Sequence, residues 1–181
     1  MLAALHDTGA FLEGHFQLNS GRHSAAYLEK FNLLQWPRYT ELVCRKMADA
    51  MRKLAPRTVA GPTTGGVLLA YEVGRQLGVR GIFCERDEGG GRSFRRDFHL
   101  EPGERVLVVD DVLTSGLSVR DTIEAVRKTG GEPVGVAVVV DRSAGRAQFG
   151  LPFFAATNVD MESYEPADCP LCARGVPLTI T

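Results

Sequence analysis

The sequence predicts an α/β domain in which a mainly parallel sheet is flanked by helices. Three observations predict it. Runs such as Val106–Val109 and Val134–Val140 are apolar without alternation, the pattern of strands buried on both faces. Segments with apolar residues at helical spacing lie between such runs, and regular alternation of strand and helix marks parallel crossover units. Turns rich in glycine or hydroxyls follow the strand runs, at the carboxyl ends where open parallel sheets bind their ligands.

Taken in order, residues 1–15 predict a helix carrying Leu2, Leu5, Phe11 and Leu12, interrupted near Gly9. Phe16 and Leu18 alternate with polar residues, Ser20-Gly21 marks a turn, and Tyr27-Leu28-Glu29 resumes an extended pattern. That is a β-hairpin. Pro37 suits the first turn of a helix, along which Tyr39, Leu42, Val43, Met47, Ala50 and Leu54 recur at helical spacing. Thr58–Gly61 predicts a strand, 66–77 a helix closed by Gly78, and 81–84 the next strand. After the strand at 106–109, Val119, Ile123 and Val126 define a helix stopped by Gly130-Gly131, and 134–140 is a further strand. No internal repeat or low-complexity linker interrupts the chain, so one domain spanning 1–181 is expected.

Composition narrows the function. The chain is long enough for one substantial core, and it holds no apolar run of membrane-spanning length. The first residues lack the basic region of a signal peptide, so a cytoplasmic protein is expected. A net charge of −1 makes no global case for nucleic-acid binding, so any anion site must be built locally. Cys44 and Cys84 read as small buried hydrophobes. Cys169-Pro-Leu-Cys172 is half of a zinc site with no second pair at ligand spacing. Reduced thiols in a C-terminal turn are the reading; a redox pair, or zinc shared across a dimer, is the alternative.

The chemistry concentrates in 105–118. An apolar strand ends on two adjacent carboxylates, Asp110 and Asp111, followed by Val112, Leu113, Thr114, Ser115, Gly116, Leu117 and Ser118, where a helix begins. The first turn of a helix offers unpaired N–H groups and partial positive charge, which suit a phosphate. Thr114, Ser115 and Ser118 add hydroxyl donors, and Gly116 admits close approach. Carboxylates repel phosphate, so the acid pair suits vicinal hydroxyls or a magnesium ion bound alongside. Phosphate and diol together describe a ribose 5-phosphate.

Val-Leu-Val-Val-Asp-Asp-Val-Leu-Thr-Ser-Gly116 resembles the phosphoribosyl-pyrophosphate (PRPP) loop of the type I phosphoribosyltransferases. The resemblance implies that family's fold, with residues 1–35 as a base-binding hood, 36–145 as the PRPP-binding core and 146–181 as a C-terminal extension. It also gives roles to two further loops. Gly61-Pro-Thr-Thr-Gly-Gly66 stands where the family binds pyrophosphate, so Thr63, Thr64 and Gly65 are expected to contact it, chiefly through backbone N–H groups. Some members have lysine at the position of Gly65. The stretch 85–97 carries Arg86, Arg92, Arg95 and Arg96 around a triple glycine, where the best-known orotate enzymes have lysines and a histidine. Such a segment cannot bury itself, and its plain reading is a solvated hairpin. In the PRPP context it reads as a mobile lid in which Arg95 and Arg96 stabilise departing pyrophosphate and Arg86 binds PRPP.

Two segments point to the base. Phe-Gln-Leu-Asn-Ser-Gly-Arg-His-Ser-Ala-Ala-Tyr27 resembles the N-terminal hairpin of orotate phosphoribosyltransferases, with Asn19 where members carry lysine. Val136-Ala-Val-Val-Val-Asp-Arg142 resembles their strand ending in Asp-Arg. Orotate carries a carboxylate on a flat ring, and guanidinium binds planar anions bidentately. The resemblance, spanning about residues 11–145, implies transfer of phosphoribosyl from PRPP to orotate in de novo pyrimidine biosynthesis. Asp110 and Asp111 would hold the ribose hydroxyls, residues 112–118 the 5′-phosphate, and Thr114, Arg142 and Tyr27 the orotate. Mg²⁺ would arrive bound to PRPP, without direct protein ligands, and relatives act as homodimers. A purine or xanthine phosphoribosyltransferase is the alternative within the fold, against which the hairpin and Arg142 argue. A non-catalytic PRPP sensor would be expected to show a basic face or an added DNA-binding module, and neither is visible.

Overall fold

Gly9, at φ +63°, ends the first helix early and turns the chain into a strand. The computed structural model describes residues 2–18 and 20–181. Helix α1 spans Leu2–Asp7, and strand β1 (Phe11–Gln17) pairs antiparallel with β2 (His23–Leu28). The expected 1–15 helix is therefore corrected: its second half, with Phe11 and Leu12, belongs to the hairpin. Asn19 lies outside the described residues.

Helices α2 (Lys30–Leu34) and α3 (Pro37–Met51) lead into the crossover units. These comprise β3 (Thr58–Pro62), α4 (Gly65–Leu77), β4 (Arg80–Arg86), β5 (Arg92–Phe94), β6 (Arg105–Leu113), α5 (Leu117–Lys128), β7 (Glu132–Asp141) and β8 (Phe153–Asn158). The main sheet runs β5-β4-β3-β6-β7-β8, parallel except for β5, which folds back on β4. The α/β architecture expected from the alternation is present. Leu107 and Val109 face one way, into a core shared with Val43 and Met47 of α3 and Leu69 and Val73 of α4. Val106 and Val108 face the other way, against Val119, Ile123 and Val126 of α5. A strand covered on both faces needs apolar residues at every position, which is why its run shows no alternation.

The C-terminal part contributes strands to both sheets. The stretch after Gly145 is not wholly an appendage, since β8 pairs with β7 as the sixth strand of the main sheet. Beyond it, β9 (Ser163–Tyr164), a short helix α6 (Pro170–Ala173) and β10 (Thr179–Ile180) return to the N-terminal hairpin. The result is a second sheet, β10-β1-β2-β9. Among the described residues no helix is long and apolar enough to cross a membrane.

Candidate active site

The strand order reverses at β3. The chain steps outward from β3 to β4, then crosses back to lay β6 on the other side. In open parallel sheets, such a reversal leaves a crevice between the two diverging loops at the carboxyl ends. One pocket lies there, lined by Pro62 at the end of β3 and Thr63 and Thr64 after it, by Asp110, Asp111 and Ser118 from β6 and α5, and by Lys30, Phe31 and Arg92. The Thr63–Thr64 peptide is cis.

Strand β6 continues beyond the apolar run, because its ladder to β7 extends to Leu113 opposite Asp141. The acid pair therefore sits on the strand, buried, rather than in a loop after it. Each carboxylate is held by its neighbour's backbone: the Asp111 N–H donates to Asp110 Oδ1 at 2.8 Å, and the Val112 N–H to Asp111 Oδ1 at 2.6 Å. Ser118 Oγ donates to Asp110 Oδ2 at 2.5 Å, and Lys30 Nζ stands 3.9 Å from Asp111 Oδ2. Burial and the Asp111 charge push Asp110 up to about 6, against the pull of Ser118 and Arg92. Burial also raises Asp111, opposed by Lys30. A Cβ at Gly65 would lie 2.0 Å from Asp111 Oδ2. A residue with a side chain there would displace the carboxylate, so the glycine is matched to the acid.

A second pocket opens beyond the same loop, lined among others by Tyr27, Thr114, Ser115 and Arg142, with Ser163 and Thr181 from the C-terminal segment. The Arg142 N–H donates to the Leu113 carbonyl at 2.8 Å, which ties the end of β7 to the start of the 114–117 turn. In that turn Gly116 caps α5 at φ +80°, and Arg120 Nη1 donates to the Ser115 carbonyl at 2.7 Å. Of the first N–H groups of α5, that of Leu117 donates to Ser115 Oγ at 3.4 Å, and the others have no partner within the helix, a setting that suits an anion.

The residues expected at the site separate into those that the folds of these loops bring together and those that they do not. Asp110, Asp111, Thr63, Thr64 and Ser118 share the first pocket; Tyr27, Thr114, Ser115 and Arg142 share the second. Arg86, Arg95 and Arg96 line neither. Arg95 Nη2 lies 3.3 Å from Asp87 Oδ1 and Arg96 Nη2 3.0 Å from Glu85 Oε1, so both exposed guanidiniums are engaged within their own hairpin. The expectation that this stretch buries nothing is corrected, because alternation along β5 turns Arg92 inward and leaves Ser93 outside, bonded to Asp87. Arg92 reaches the pocket with Nη1 donating to Thr63 Oγ1 at 3.3 Å. Sequence reasoning gave no individual role to Arg92 and none to Lys30. The period-two pattern of Arg92-Ser-Phe-Arg95 was the available signal for the former; Lys30 has no local one.

A hydroxyl-rich loop at a helix start beside a buried acid pair, at the switch point of a mainly parallel sheet, defines an α/β protein with its ligand site between two strand-to-helix loops. Residues 31–149 match the family described as "Phosphoribosyl transferase domain". The chain is 51% identical to the orotate phosphoribosyltransferase of Desulforamulus reducens over 94% of its own length and 88% of that protein's. It is 44% identical to the orotate phosphoribosyltransferase of Thermotoga maritima, over 96% and 92%. The crystal structure of orotate phosphoribosyltransferase from Aeropyrum pernix superposes with a TM-score of 0.75 at 29% identity, covering 88% of this chain and 94% of that one. The chain belongs to the phosphoribosyltransferases, and within them to the orotate phosphoribosyltransferase family, whose type I fold it has.

The raised pKa of Asp110 has a measurable consequence. Between about 3.8 and about 6 the folded protein binds more protons than the unfolded chain, so stability falls as pH rises through that window. Above it the full cost of the buried charge is present. Asp110→Asn keeps groups that can pair with the Asp111 N–H and with Ser118 while removing the charge. The variant is predicted to be more stable at pH 8 by roughly 1–3 kcal/mol, with a flatter pH dependence, as urea denaturation would show. Loss of stability at pH 8 would contradict this electrostatic account.

Proposed function

We propose that the protein transfers the phosphoribosyl group of PRPP to orotate, giving orotidine 5′-monophosphate and pyrophosphate. One observation carries the assignment of substrate parts to pockets. Among the described residues, the buried side-chain N and O atoms without a hydrogen-bond partner are the Nε of Arg92 and the Nε of Arg142. Each pocket thus has one guanidinium with an unused donor, and the acid pair stands in the first pocket beside the loop that leads to the second. Buried donors left unpaired cost free energy that an anionic ligand recovers.

Arg142 with Thr114 and Tyr27 receives orotate, and Arg142 takes its carboxylate. Asp110 and Asp111 accept hydrogen bonds from the ribose hydroxyls. Residues 112–118 cradle the 5′-phosphate with backbone N–H groups and the Thr114, Ser115 and Ser118 hydroxyls. Thr63, Thr64 and Gly65 hold pyrophosphate together with Arg92 and Lys30, with Arg86 reaching PRPP when the hairpin closes. The oxygen-rich lining of Asp110, Asp111, Thr63 and Thr64 suits a hydrated hard cation that is held by the substrate rather than by direct protein ligands. Mg²⁺ entering with PRPP would neutralise charge on the pyrophosphate. No residue is positioned as a covalent nucleophile; orientation of the two substrates and stabilisation of charge at C1′ and on the leaving group do the work.

The same reading places the protein in pyrimidine biosynthesis, in the cytoplasm and as a homodimer. Exposed Leu68 and Tyr71 of α4 supply apolar surface suited to a dimer. It also keeps the hood, core and extension as parts of one domain. Turnover of PRPP with orotate, but not with uracil, hypoxanthine or xanthine, tests the assignment of the base.

Arg142→Ala is predicted to weaken orotate binding by on the order of 2–3 kcal/mol while leaving PRPP binding nearly unchanged, measured by titration calorimetry. Unchanged orotate affinity would move base recognition elsewhere. The arginine hairpin is predicted to show a division of labour in steady-state kinetics. Arg92 already faces the pocket, so Arg92→Ala should raise the KM for PRPP, by roughly tenfold or more. Arg95 and Arg96 must exchange Asp87 and Glu85 for substrate, so their double alanine variant should lower kcat and kcat/KM together. Wild-type kinetics in the double variant would leave those two as surface residues.

A further inference from the structure

The pair missing from Cys169-Pro-Leu-Cys172 is supplied by the N-terminal hairpin. His15 and His23 bring their rings to a centroid separation of 4.9 Å, and Cys169, just before α6, and Cys172, within it, present their sulfurs to them. Cys169 Sγ lies 3.5 Å from His15 Nε2. Cys172 Sγ lies 3.8 Å from His15 Nε2 and 3.3 Å from His23 Nδ1, and the two imidazole nitrogens are 3.1 Å apart. All four atoms fall within 4.8 Å of one another. A tetrahedral zinc ion with sulfur at about 2.3 Å and nitrogen at about 2.0–2.1 Å separates its ligand atoms by roughly 3.3–3.8 Å. The four measured separations lie in that range or within a few tenths of an ångström of it.

The surroundings prepare the ligands. His15 Nδ1 is 2.8 Å from the Val176 carbonyl oxygen, which can only accept; Nδ1 therefore carries the proton and Nε2 turns its lone pair to the cluster. His15, His23 and Cys169 are all buried, and both cysteines are free thiols. Two imidazoles and two thiols gathered at these distances satisfy one another poorly by hydrogen bonds alone.

We propose that His15, His23, Cys169 and Cys172 bind a structural Zn²⁺ that clasps the C-terminal segment to the hairpin. Four protein ligands close the coordination sphere, so the ion is structural rather than catalytic. Binding forms two Zn–S and two Zn–N bonds and releases the two thiol protons. The clasp supplements a weak attachment, since β9 and β10 contribute only two residues each to the second sheet. Ser163 and Thr181 of this segment line the second pocket, so the ion also steadies that wall. The site is separate from the substrate pockets and does not rest on the function proposed for them.

The test uses the full chain purified under reducing conditions without chelator or metal-affinity resin. Elemental analysis should give one zinc per chain, and X-ray absorption a shell of two sulfurs and two nitrogens. Cys172→Ser and His15→Ala should lose the zinc. Should either variant fail to fold, replacing zinc by Co²⁺ in the wild-type protein gives an independent readout, the visible spectrum of a tetrahedral thiolate site. Zinc-free protein with reduced thiols that takes up neither metal at micromolar concentration would overturn the proposal. So would an octahedral cobalt spectrum, or a Cys169–Cys172 disulfide in the protein as isolated.

Discussion

Two like-charged carboxylates held side by side at the end of a buried strand are the constraint around which this molecule is arranged. Asp110 and Asp111 cannot both be charged there at low cost, and the rise of Asp110 to about 6 expresses it. The surrounding groups reduce that cost without removing it. Two backbone N–H groups and the Ser118 hydroxyl donate to the pair, and Lys30 and Arg92 supply positive charge from elements far apart in sequence. The proposed role, binding hydroxyls and a charged leaving group, accounts for such tension, and the doubly covered β6 provides the rigidity to hold it.

The topology gives the pair its neighbours. Reversal of strand order at β3 sets the 63–65 turn opposite the end of β6, and the parallel register of β7 delivers Arg142 beside Leu113. The turn from Thr114 to Gly116 thereby stands between two pockets, each with a guanidinium that has a free donor. In the proposed function one loop handles the phosphate, while the pockets on either side take the leaving group and the base. Glycine at 65 is part of the same arrangement, because the Asp111 carboxylate occupies the space that a side chain would need.

Much of this was legible before the structure, and the reasons are physical. Double-faced burial writes itself as unbroken apolar runs, so β3, β6 and β7 could be read, as could the helices with one apolar face. The acid pair and the hydroxyl turn stood out because their chemistry is local to one strand end, whereas Arg142 was singled out through the resemblance carried by 136–142. What escaped depends on contacts distant in sequence. Lys30 meets Asp111 across 81 positions, and the hairpin's extent back to Phe11 reflects pairing with Leu28 rather than local propensity. Strand β8 is half exposed at the sheet edge, so its pattern is weak. The histidines facing Cys169 and Cys172 stand some 150 residues away, beyond any spacing rule.

In the proposed function the acid pair binds the ribose while the substrate reacts. The most direct measurement is turnover of PRPP and orotate by Asp111→Asn, in protein shown by circular dichroism and thermal melting to be folded. Activity is expected to fall by roughly 10²-fold or more, as on loss of one charge-stabilising group. Near-normal turnover in the folded variant would contradict it.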